Sequence, residues 1–285
     1  MTADARTEVV GVIGAGQMGA GIAQLCATVG YRTLVCDVSD LILAAAQQRI
    51  AESLSKLEAK QQLENSPESI MGLISYGIDL EDLSNCRILI ESAFENFDTK
   101  SNILYKIGNF MKPTSHVASN TSSYSITSLA KMLPYPHRFI GLHFMNPPPI
   151  MELVEVIRGT HTDDETFDFF WKFALALGKN PIESKDSPGF ILNRILIPMI
   201  NEAIYLLQES VSSPEHIDTA MKLGAHHPIG PLALADLIGL DTVLAIMKTL
   251  KANLNLEKYD PSPLLEEYVA LGFLGKKSGR GFFIY

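Results

Sequence analysis

A histidine and a glutamate lie in two apolar segments that a short proline-rich stretch separates. His143 belongs to Phe-Ile-Gly-Leu-His-Phe (139–144), and Glu155 belongs to Leu-Val-Glu-Val-Ile (153–157). A hairpin centred on Pro149 would place the two residues opposite each other, with Cβ atoms about 4.5–5.5 Å apart. A carboxylate at that distance fixes the imidazole tautomer and stabilises the imidazolium. The spacing predicts either a general acid–base pair or a satisfied His–Glu pair in a half-buried sheet, and it does not decide between them.

A glycine-rich segment has the spacing of a dinucleotide-binding turn. Gly14, Gly16 and Gly19 follow the apolar run 9–13 and precede a helical pattern. Such a turn lets the backbone approach a pyrophosphate and presents helix-start N–H groups to the anion. Asp37 lies 18 residues beyond Gly19, at the end of the next apolar run, where a carboxylate accepts from the adenine ribose and repels a 2′-phosphate. The pattern predicts binding of NAD in preference to NADP, and the alternative is a glycine turn with a helix-capping aspartate.

Two more polar segments lie where a ligand contact is expected. Asn-Thr-Ser-Ser (120–123) follows the predicted strand 116–119, at the carboxyl end where α/β sheets place ligand contacts. The alternative is a turn and helix cap. Asn193 is a polar side chain in the largely apolar segment 190–208, and a buried amide needs a partner to be tolerated there. That partner is either substrate or protein.

Alternating strand and helix patterns place these residues in a doubly wound α/β domain. The predicted helices are 17–29, 39–60, 98–111, 126–133 and 167–177, and the predicted strands are 9–13, 33–36, 87–91, 116–119, 139–145, 153–157 and 181–183. This alternation predicts a Rossmann-type, mainly parallel sheet. The connection through Asn146 to Pro149 is too short and proline-rich for a crossover helix. The sheet is therefore expected to end in antiparallel edge strands.

The last third of the chain predicts an all-helical domain. The predicted boundary falls in the segment 185–189, giving domains 1–186 and 187–285, and the predicted helices are 190–208, 214–223, 232–251 and 263–271. The first of these is apolar nearly all round, with Pro198 as an expected kink, so it needs burial on several faces. We therefore expect a homodimer formed through this half.

Composition and spacing exclude several classes of function. The 285 residues are 47% apolar and carry 32 acidic against 23 basic side chains, a net charge of −9, which disfavours nucleic acid and anionic membranes as partners. Glycines interrupt the uncharged stretch 9–31, so it is not expected to span a membrane. Three cysteines without paired spacing predict a reducing, cytoplasmic location. Outside His143, no histidine has acid or cysteine partners at ligand spacing, so no metal site is predicted.

The combination of motifs resembles the short-chain L-3-hydroxyacyl-CoA dehydrogenases over nearly the whole chain. The resemblance rests on the glycine loop with Asp37, on Ser-Asn-Thr-Ser-Ser (119–123), on Gly-Leu-His-Phe-Met-Asn-Pro (141–147) and on the segment around Glu155. The second half contributes four matching segments, which are 186–190, 193–194, 220–224 and 275–279. The family implies NAD-dependent interconversion of 3-hydroxyacyl-CoA and 3-oxoacyl-CoA, with 3-hydroxybutyryl-CoA as the expected short-chain substrate.

The resemblance also implies roles for individual residues. It makes His143 the general base paired with Glu155, and it assigns Ser122 and Asn193 to the oxygens of the substrate. It places Ser53 and Lys60 at coenzyme A. The expected cofactor contacts are Gly14, Gly16, Gln17, Met18, Gly19, Asp37, Glu95, Lys100, Asn120, Ser122 and Asn146. Because Asn193 comes from the helical domain, closure about the linker near Ser187 is expected to complete the site.

Two other interpretations remain, and a third is excluded because the chain lacks a required lysine. Dehydrogenases of hydroxyisobutyrate or phosphogluconate use a lysine on the first helix of the second domain, where this chain has Asn193 and Arg194. The L-gulonate dehydrogenase and lambda-crystallin type shares the His–Glu arrangement. A non-catalytic NAD-binding protein would need only the glycine loop and Asp37. Acyl chain length, reaction direction and the cis or trans state of Pro147, Pro148 and Pro149 are left open.

Overall fold

The computed structural model describes residues 8–285, which divide into two compact units. The first unit ends at Ser187 and the second begins at Pro188, one residue beyond the boundary expected from the sequence. No helix among the described residues is long and apolar enough to cross a membrane.

The first unit contains a single sheet whose strands are mainly parallel. Within residues 8–285 its strands are β1 (Val9–Ile13), β2 (Arg32–Cys36), β3 (Ile74–Gly77), β4 (Ile88–Glu91), β5 (His116–Ser119), β6 (Phe139–Phe144), β7 (Leu153–Arg158) and β8 (Asn180–Lys185). Their order is β3-β2-β1-β4-β5-β6-β7-β8. Strands β6 and β7 pair antiparallel, whereas every other neighbouring pair is parallel. The predicted doubly wound sheet with antiparallel edge strands is confirmed.

Helices cover the sheet because their apolar side chains pack against its buried strands. They are α1 (Gln17–Thr28), α2 (Asp40–Ala59), α3 (Pro67–Met71), α4 (Phe97–Gly108), α5 (Ile126–Ala130) and α6 (Asp164–Ala176). Four of these helices are preceded by a capping residue whose side chain accepts a hydrogen bond from the N–H three residues later. The caps are Ser66, Asn96, Ser125 and Asp163. These caps satisfy N–H groups that have no partner inside the helix.

The sequence patterns did not predict β3 and α3. Strand β3 has four residues, of which only Ile74 is buried, so it shows no apolar run to recognise. Its pairing with β2, with Thr33 opposite Ile74, is what defines it as a strand. An edge strand of this length is specified by its neighbour more than by its own composition.

The second unit is helical, and its helices surround a separate apolar core. It consists of α7 (Leu192–Gln208), α8 (Pro214–Gly224), α9 (Pro231–Ile238), α10 (Leu240–Leu254) and α11 (Pro263–Ala270). The prediction of one helix over 232–251 is wrong, because Gly239 has a φ of 101° and separates α9 from α10. A left-handed backbone of this kind is open to glycine at little cost and ends the helical hydrogen-bond ladder.

His116, at the start of β5, lies in surroundings that disfavour its protonated form. The side chain is buried, and its ring stacks on Phe169 with ring centroids 4.0 Å apart. Burial, together with the positive charges of Arg138 and Arg87, lowers the pKa of His116 from 6.5 to about 4. Between pH 6.5 and about pH 4 the unfolded chain binds more protons at this residue than the folded chain does. Acidification through this range therefore favours unfolding.

We expect His116 to lower the free energy of unfolding by about 1 to 2 kcal/mol as the pH falls from 7 to 5. Denaturant unfolding of the wild type and of His116→Gln at both pH values measures this contribution, which the variant should lack. His137→Gln makes the same change at an exposed position and is the control. If His116→Gln kept the pH dependence of the wild type, this explanation of acid sensitivity would be wrong.

Candidate active site

The glycine loop joins β1 to α1 in a turn that admits no side chain at two positions. Gly14 has a φ of 98°, and a Cβ added there would lie 2.5 Å from the carbonyl oxygen of Ser92. A Cβ at Gly19 would lie 1.8 Å from the carbonyl oxygen of Gly14. The N–H of Gly14 donates to the carbonyl of Cys36 at 2.8 Å, which fixes the loop against β2. The turn is therefore built from backbone contacts that only glycine permits.

The residues around this loop fit a dinucleotide. No side chain caps the start of α1, and a Cβ at Gly16 would meet nothing within 4 Å, so helix-start N–H groups face open space that an anion can enter. The adjoining cavity has a volume of about 520 Å³, and its lining includes Gly14, Gly16, Asp37, Val38 and Phe94. This combination of open backbone, an acidic side chain and apolar walls is what pyrophosphate, ribose and adenine require.

Asp37 follows β2 and is fixed by the loop itself. Its Oδ2 accepts from the N–H of Ala15 at 2.7 Å, and its Oδ1 accepts from the N–H of Val38 at 2.7 Å. Each carboxylate oxygen keeps a further lone pair that can accept from a ribose hydroxyl. The carboxylate is thus held at the edge of the cavity in a defined orientation.

The antiparallel pair of β6 and β7 brings His143 and Glu155 together. The two residues are directly opposite each other in the register, as the hairpin predicted. His143 Nδ1 lies 2.7 Å from Glu155 Oε2, and Glu155 is fully buried. On the other side of the ring, Nε2 lies 3.0 Å from the hydroxyl of Ser122. The three side chains form a continuous hydrogen-bonded row.

This row determines what the imidazole can do. An ionised carboxylate only accepts hydrogen bonds, so Glu155 requires the proton on His143 Nδ1. In the neutral ring Nε2 is then the basic nitrogen, and it accepts from the hydroxyl of Ser122. A ligand hydroxyl in the place of, or beside, Ser122 can give its proton to Nε2. The arrangement is suited to general acid–base catalysis.

Two asparagines expected near the cofactor make hydrogen bonds within the protein. Asn120 follows β5, and its Oδ1 accepts from the N–H of Phe144 at 2.8 Å, which ties the end of β6 to the neighbouring loop. Asn146 Oδ1 accepts from Gln17 Nε2 at 3.0 Å. The bond between Asn146 and Pro147 is cis, which answers a question the sequence left open.

Glu95 and Lys100, also expected at the cofactor, belong to a network of charges after β4. Lys100 Nζ lies 2.8 Å from Glu91 Oε1 and 3.2 Å from Glu95 Oε2, and only 1% of Lys100 is exposed. Glu95 Oε1 accepts from the backbone N–H groups of Ser122 and Ser123. Burial raises the pKa of Glu95, but the charge of Lys100 and the hydrogen bonds from the side chains of Thr121 and Ser123 and the backbone of Ser122 bring this pKa below its usual value. Sequence reasoning gave no role to Glu91, although its signal is a lone acid that ends the apolar run Ile-Leu-Ile (88–90).

Ser53 and Lys60 line a second cavity, of about 290 Å³, between α1, α2 and the proline-rich segment. Glu52 also lines it, and so do Arg49 and Lys56, which with Ser53 and Lys60 form a row of four along α2 and its C-terminal end. Their spacing of four, three and four residues is the helical repeat that could have identified Arg49 and Lys56 from sequence. A Cβ at Gly21 of α1 would lie 2.8 Å from Pro148. The glycine therefore allows the proline-rich segment to close one side of the cavity.

Asn193 lies in the second unit, near the start of α7, and is buried. The assignment of this side chain to the substrate stays a prediction.

Family models match both units of the chain. The model for the 3-hydroxyacyl-CoA dehydrogenase NAD binding domain matches residues 9–187, and the model for the 3-hydroxyacyl-CoA dehydrogenase C-terminal domain matches residues 189–285. The chain belongs to the 3-hydroxyacyl-CoA dehydrogenase family. The predicted family and NAD as its cofactor are confirmed.

Relatives within the 3-hydroxyacyl-CoA dehydrogenase family match over nearly their full length. A protein of Deinococcus radiodurans named "Probable 3-hydroxybutyryl-CoA dehydrogenase" is 50% identical, over 96% of this chain and 99% of that protein. A 3-hydroxybutyryl-CoA dehydrogenase of Bradyrhizobium diazoefficiens is 50% identical, over 97% of this chain and 94% of that protein. The crystal structure of (S)-3-hydroxybutyryl-CoA dehydrogenase from Ralstonia eutropha has a TM-score of 0.93 at 48% identity, covering 98% of this chain and 99% of that one.

Proposed function

We propose that this protein interconverts short-chain (S)-3-hydroxyacyl-CoA and 3-oxoacyl-CoA with NAD, and that 3-hydroxybutyryl-CoA is its substrate. The observation that carries the proposal is the row formed by Ser122, His143 and Glu155, in which the basic nitrogen of the histidine faces a hydroxyl. The names of the relatives from Deinococcus and Bradyrhizobium support the choice of the C4 substrate.

His143 is the general base in this proposal. In the oxidative direction Nε2 takes the proton of the substrate 3-hydroxyl, and in the reductive direction it returns that proton. Bound NAD supplies the acceptor for the hydride that leaves C3. Glu155 stabilises the imidazolium that forms, and the buried carboxylate holds the ring in one tautomer throughout. Ser122 donates to the substrate oxygen and keeps it within reach of Nε2.

The cavity beside α2 is the proposed binding site for coenzyme A. Arg49, Lys56 and Lys60 supply three positive charges to the lining, against the one negative charge of Glu52, and Ser53 adds a hydroxyl. Phosphate groups are favoured partners for such a set because charged donors make the strongest hydrogen bonds to them. The apolar proline wall opposite them suits the uncharged part of the carrier.

Comparing acetoacetyl-CoA with free acetoacetate, each with NADH, tests the proposed function. Consumption of NADH is followed by its absorbance. We expect turnover with the CoA ester and none with the free acid. Turnover of hydroxy or oxo acids that carry no CoA would instead favour a gulonate-type enzyme, and NADH binding without turnover of either compound would favour a non-catalytic protein.

Asp37 is expected to set the preference for NADH over NADPH. The wild type should use NADH with a kcat/KM at least about 100-fold above that for NADPH, because the carboxylate repels the 2′-phosphate. Asp37→Ser should lower this ratio by about tenfold or more, chiefly through a higher KM for NADH. Asp40→Ser removes an exposed carboxylate three residues away and is the matched control. An unchanged ratio in Asp37→Ser would remove Asp37 from cofactor selection.

We further propose that the second unit forms a homodimer and that the protein is cytoplasmic. The described part of this unit exposes large apolar side chains on its helices and in the segments that adjoin them, including Ile195, Val211, Leu223, Leu237 and Leu271, and association would cover such side chains. Light scattering tests the dimer, and a mass near 31.3 kDa would contradict it. Cys26, Cys36 and Cys86 form no disulfide, which agrees with a reducing compartment.

A further inference from the structure

Glu91 ends β4 and accepts hydrogen bonds from three different parts of the first unit. The carboxylate is fully buried, and both of its oxygens contact Lys100 Nζ, at 2.8 and 3.1 Å. Its Oε1 also accepts from the N–H of Ala93 at 2.7 Å, and its Oε2 accepts from the hydroxyl of Ser119. A buried carboxylate with this many donors is held in one position.

Two chains of contacts lead from Glu91 to the loop that carries Ser122. In the first, the hydroxyl of Ser119 donates to Glu91 and accepts from the N–H of Thr121 at 3.2 Å. In the second, Lys100 joins Glu91 to Glu95, whose Oε1 accepts from the N–H of Ser122 at 2.9 Å. Both chains of contacts therefore begin at the carboxylate of Glu91 and end on the loop, one at Thr121 and the other at Ser122.

Glu95 Oε1, at the end of the second chain of contacts, accepts from three further groups of the loop. These are the hydroxyl of Thr121 at 2.7 Å and both the N–H and the hydroxyl of Ser123, at 3.1 and 2.7 Å. With the backbone on either side of Ser122 fixed, its hydroxyl is directed at His143 Nε2, 3.0 Å away. Without these contacts the polar loop would sample many orientations, and the hydrogen bond between Ser122 and the imidazole would be lost in them.

We propose that Glu91 is a positioning residue for catalysis, which acts through Ser119 and through Lys100 to hold the hydroxyl of Ser122 against His143. The inference rests on the proposed function. Lys100 belongs to this support, because its ammonium group is enclosed by Glu91, Glu95 and the carbonyl of Ala93. A displacement of about 1 Å at a reacting group lowers turnover by about 100-fold, so a distant support of this kind affects kcat.

The test is the effect of Glu91→Gln in two backgrounds. This change keeps the size of the side chain and so limits structural disruption, but the amide has one acceptor oxygen in place of two and carries no charge. In the wild type we expect Glu91→Gln to lower kcat by about 10- to 100-fold, with the affinity for NADH unchanged. In the Ser122→Ala background the same change should have little further effect, because the group it positions is already absent.

A second pair of variants covers the case in which Glu91→Gln does not fold. Ser119→Ala removes only the first chain of contacts and should lower kcat by a smaller factor. Ser115→Ala is the matched control, because Ser115 is a buried serine just before the other end of β5 that donates to the carbonyl of Cys86. It should keep the kcat of the wild type.

Nuclear magnetic resonance of the histidine ring nitrogens gives a readout that needs no turnover. The Nε2 signal of His143, assigned by its loss in His143→Gln, should move in Glu91→Gln in the same direction as in Ser122→Ala. Equal losses of kcat from Glu91→Gln in both backgrounds, or a loss of NADH affinity with unchanged kcat, would overturn the proposal. A wild type without turnover would contradict the proposed function, whereas the His143 signal would still test the positioning role.

Discussion

Replacing His143 with glutamine is expected to lower kcat by about 100- to 10,000-fold while NADH still binds with the affinity of the wild type. The loss is the usual contribution of a positioned general acid–base. Glutamine can still donate to Glu155, so the buried carboxylate keeps a hydrogen bond, but an amide cannot take up the proton of the substrate. The kinetic measurement uses acetoacetyl-CoA and NADH, and NADH fluorescence gives the binding constant.

The control for this variant is His137→Gln, which makes the same change at an exposed position of the same unit. It should retain full turnover. If His143→Gln turned over as fast as the wild type, the row of Ser122, His143 and Glu155 would be a structural feature and the proposed mechanism would fail.

Replacing Gly19 with alanine is expected to abolish NADH binding at concentrations about 100-fold above the wild-type dissociation constant. The added Cβ would lie 1.8 Å from the carbonyl oxygen of Gly14, which is backbone and cannot move aside as a flexible side chain does. The turn must open, and the helix-start N–H groups then lose their common direction toward the pyrophosphate. Overpacking of this kind costs about 1–3 kcal/mol or more, so the melting temperature should fall as well.

Two other glycine variants separate the causes of that loss. Gly224→Ala is the neutral control, because a Cβ there meets nothing within 4 Å. Gly16→Ala has the same free space but lies where the cofactor is expected, so it should weaken NADH binding without lowering the melting temperature. Calorimetric titration with NADH and thermal unfolding measure both quantities. Normal NADH binding by Gly19→Ala would show that this turn does not hold the cofactor.

Local patterns in the sequence determined every described strand except β3, together with the glycine turn and the facing pair in the hairpin. Buried parallel strands read as continuous apolar runs, and glycine spacing reports a turn whose contacts are mostly local. The register of His143 against Glu155 follows from the short proline-rich connection, since side chains alternate along each strand and only one face is shared. These features involve residues close together in the chain, and for that reason a sequence displays them.

The tertiary structure alone decided which of these residues support one another. Strand β3 exists because β2 offers it backbone partners, and α9 ends just before Gly239 because of a backbone angle at that glycine that composition does not reveal. Lys100 matched a cofactor-binding position by resemblance, but the fold buries it between Glu91 and Glu95. Such contacts join segments that are distant in sequence, and their energy depends on burial and orientation, which the order of residues does not contain.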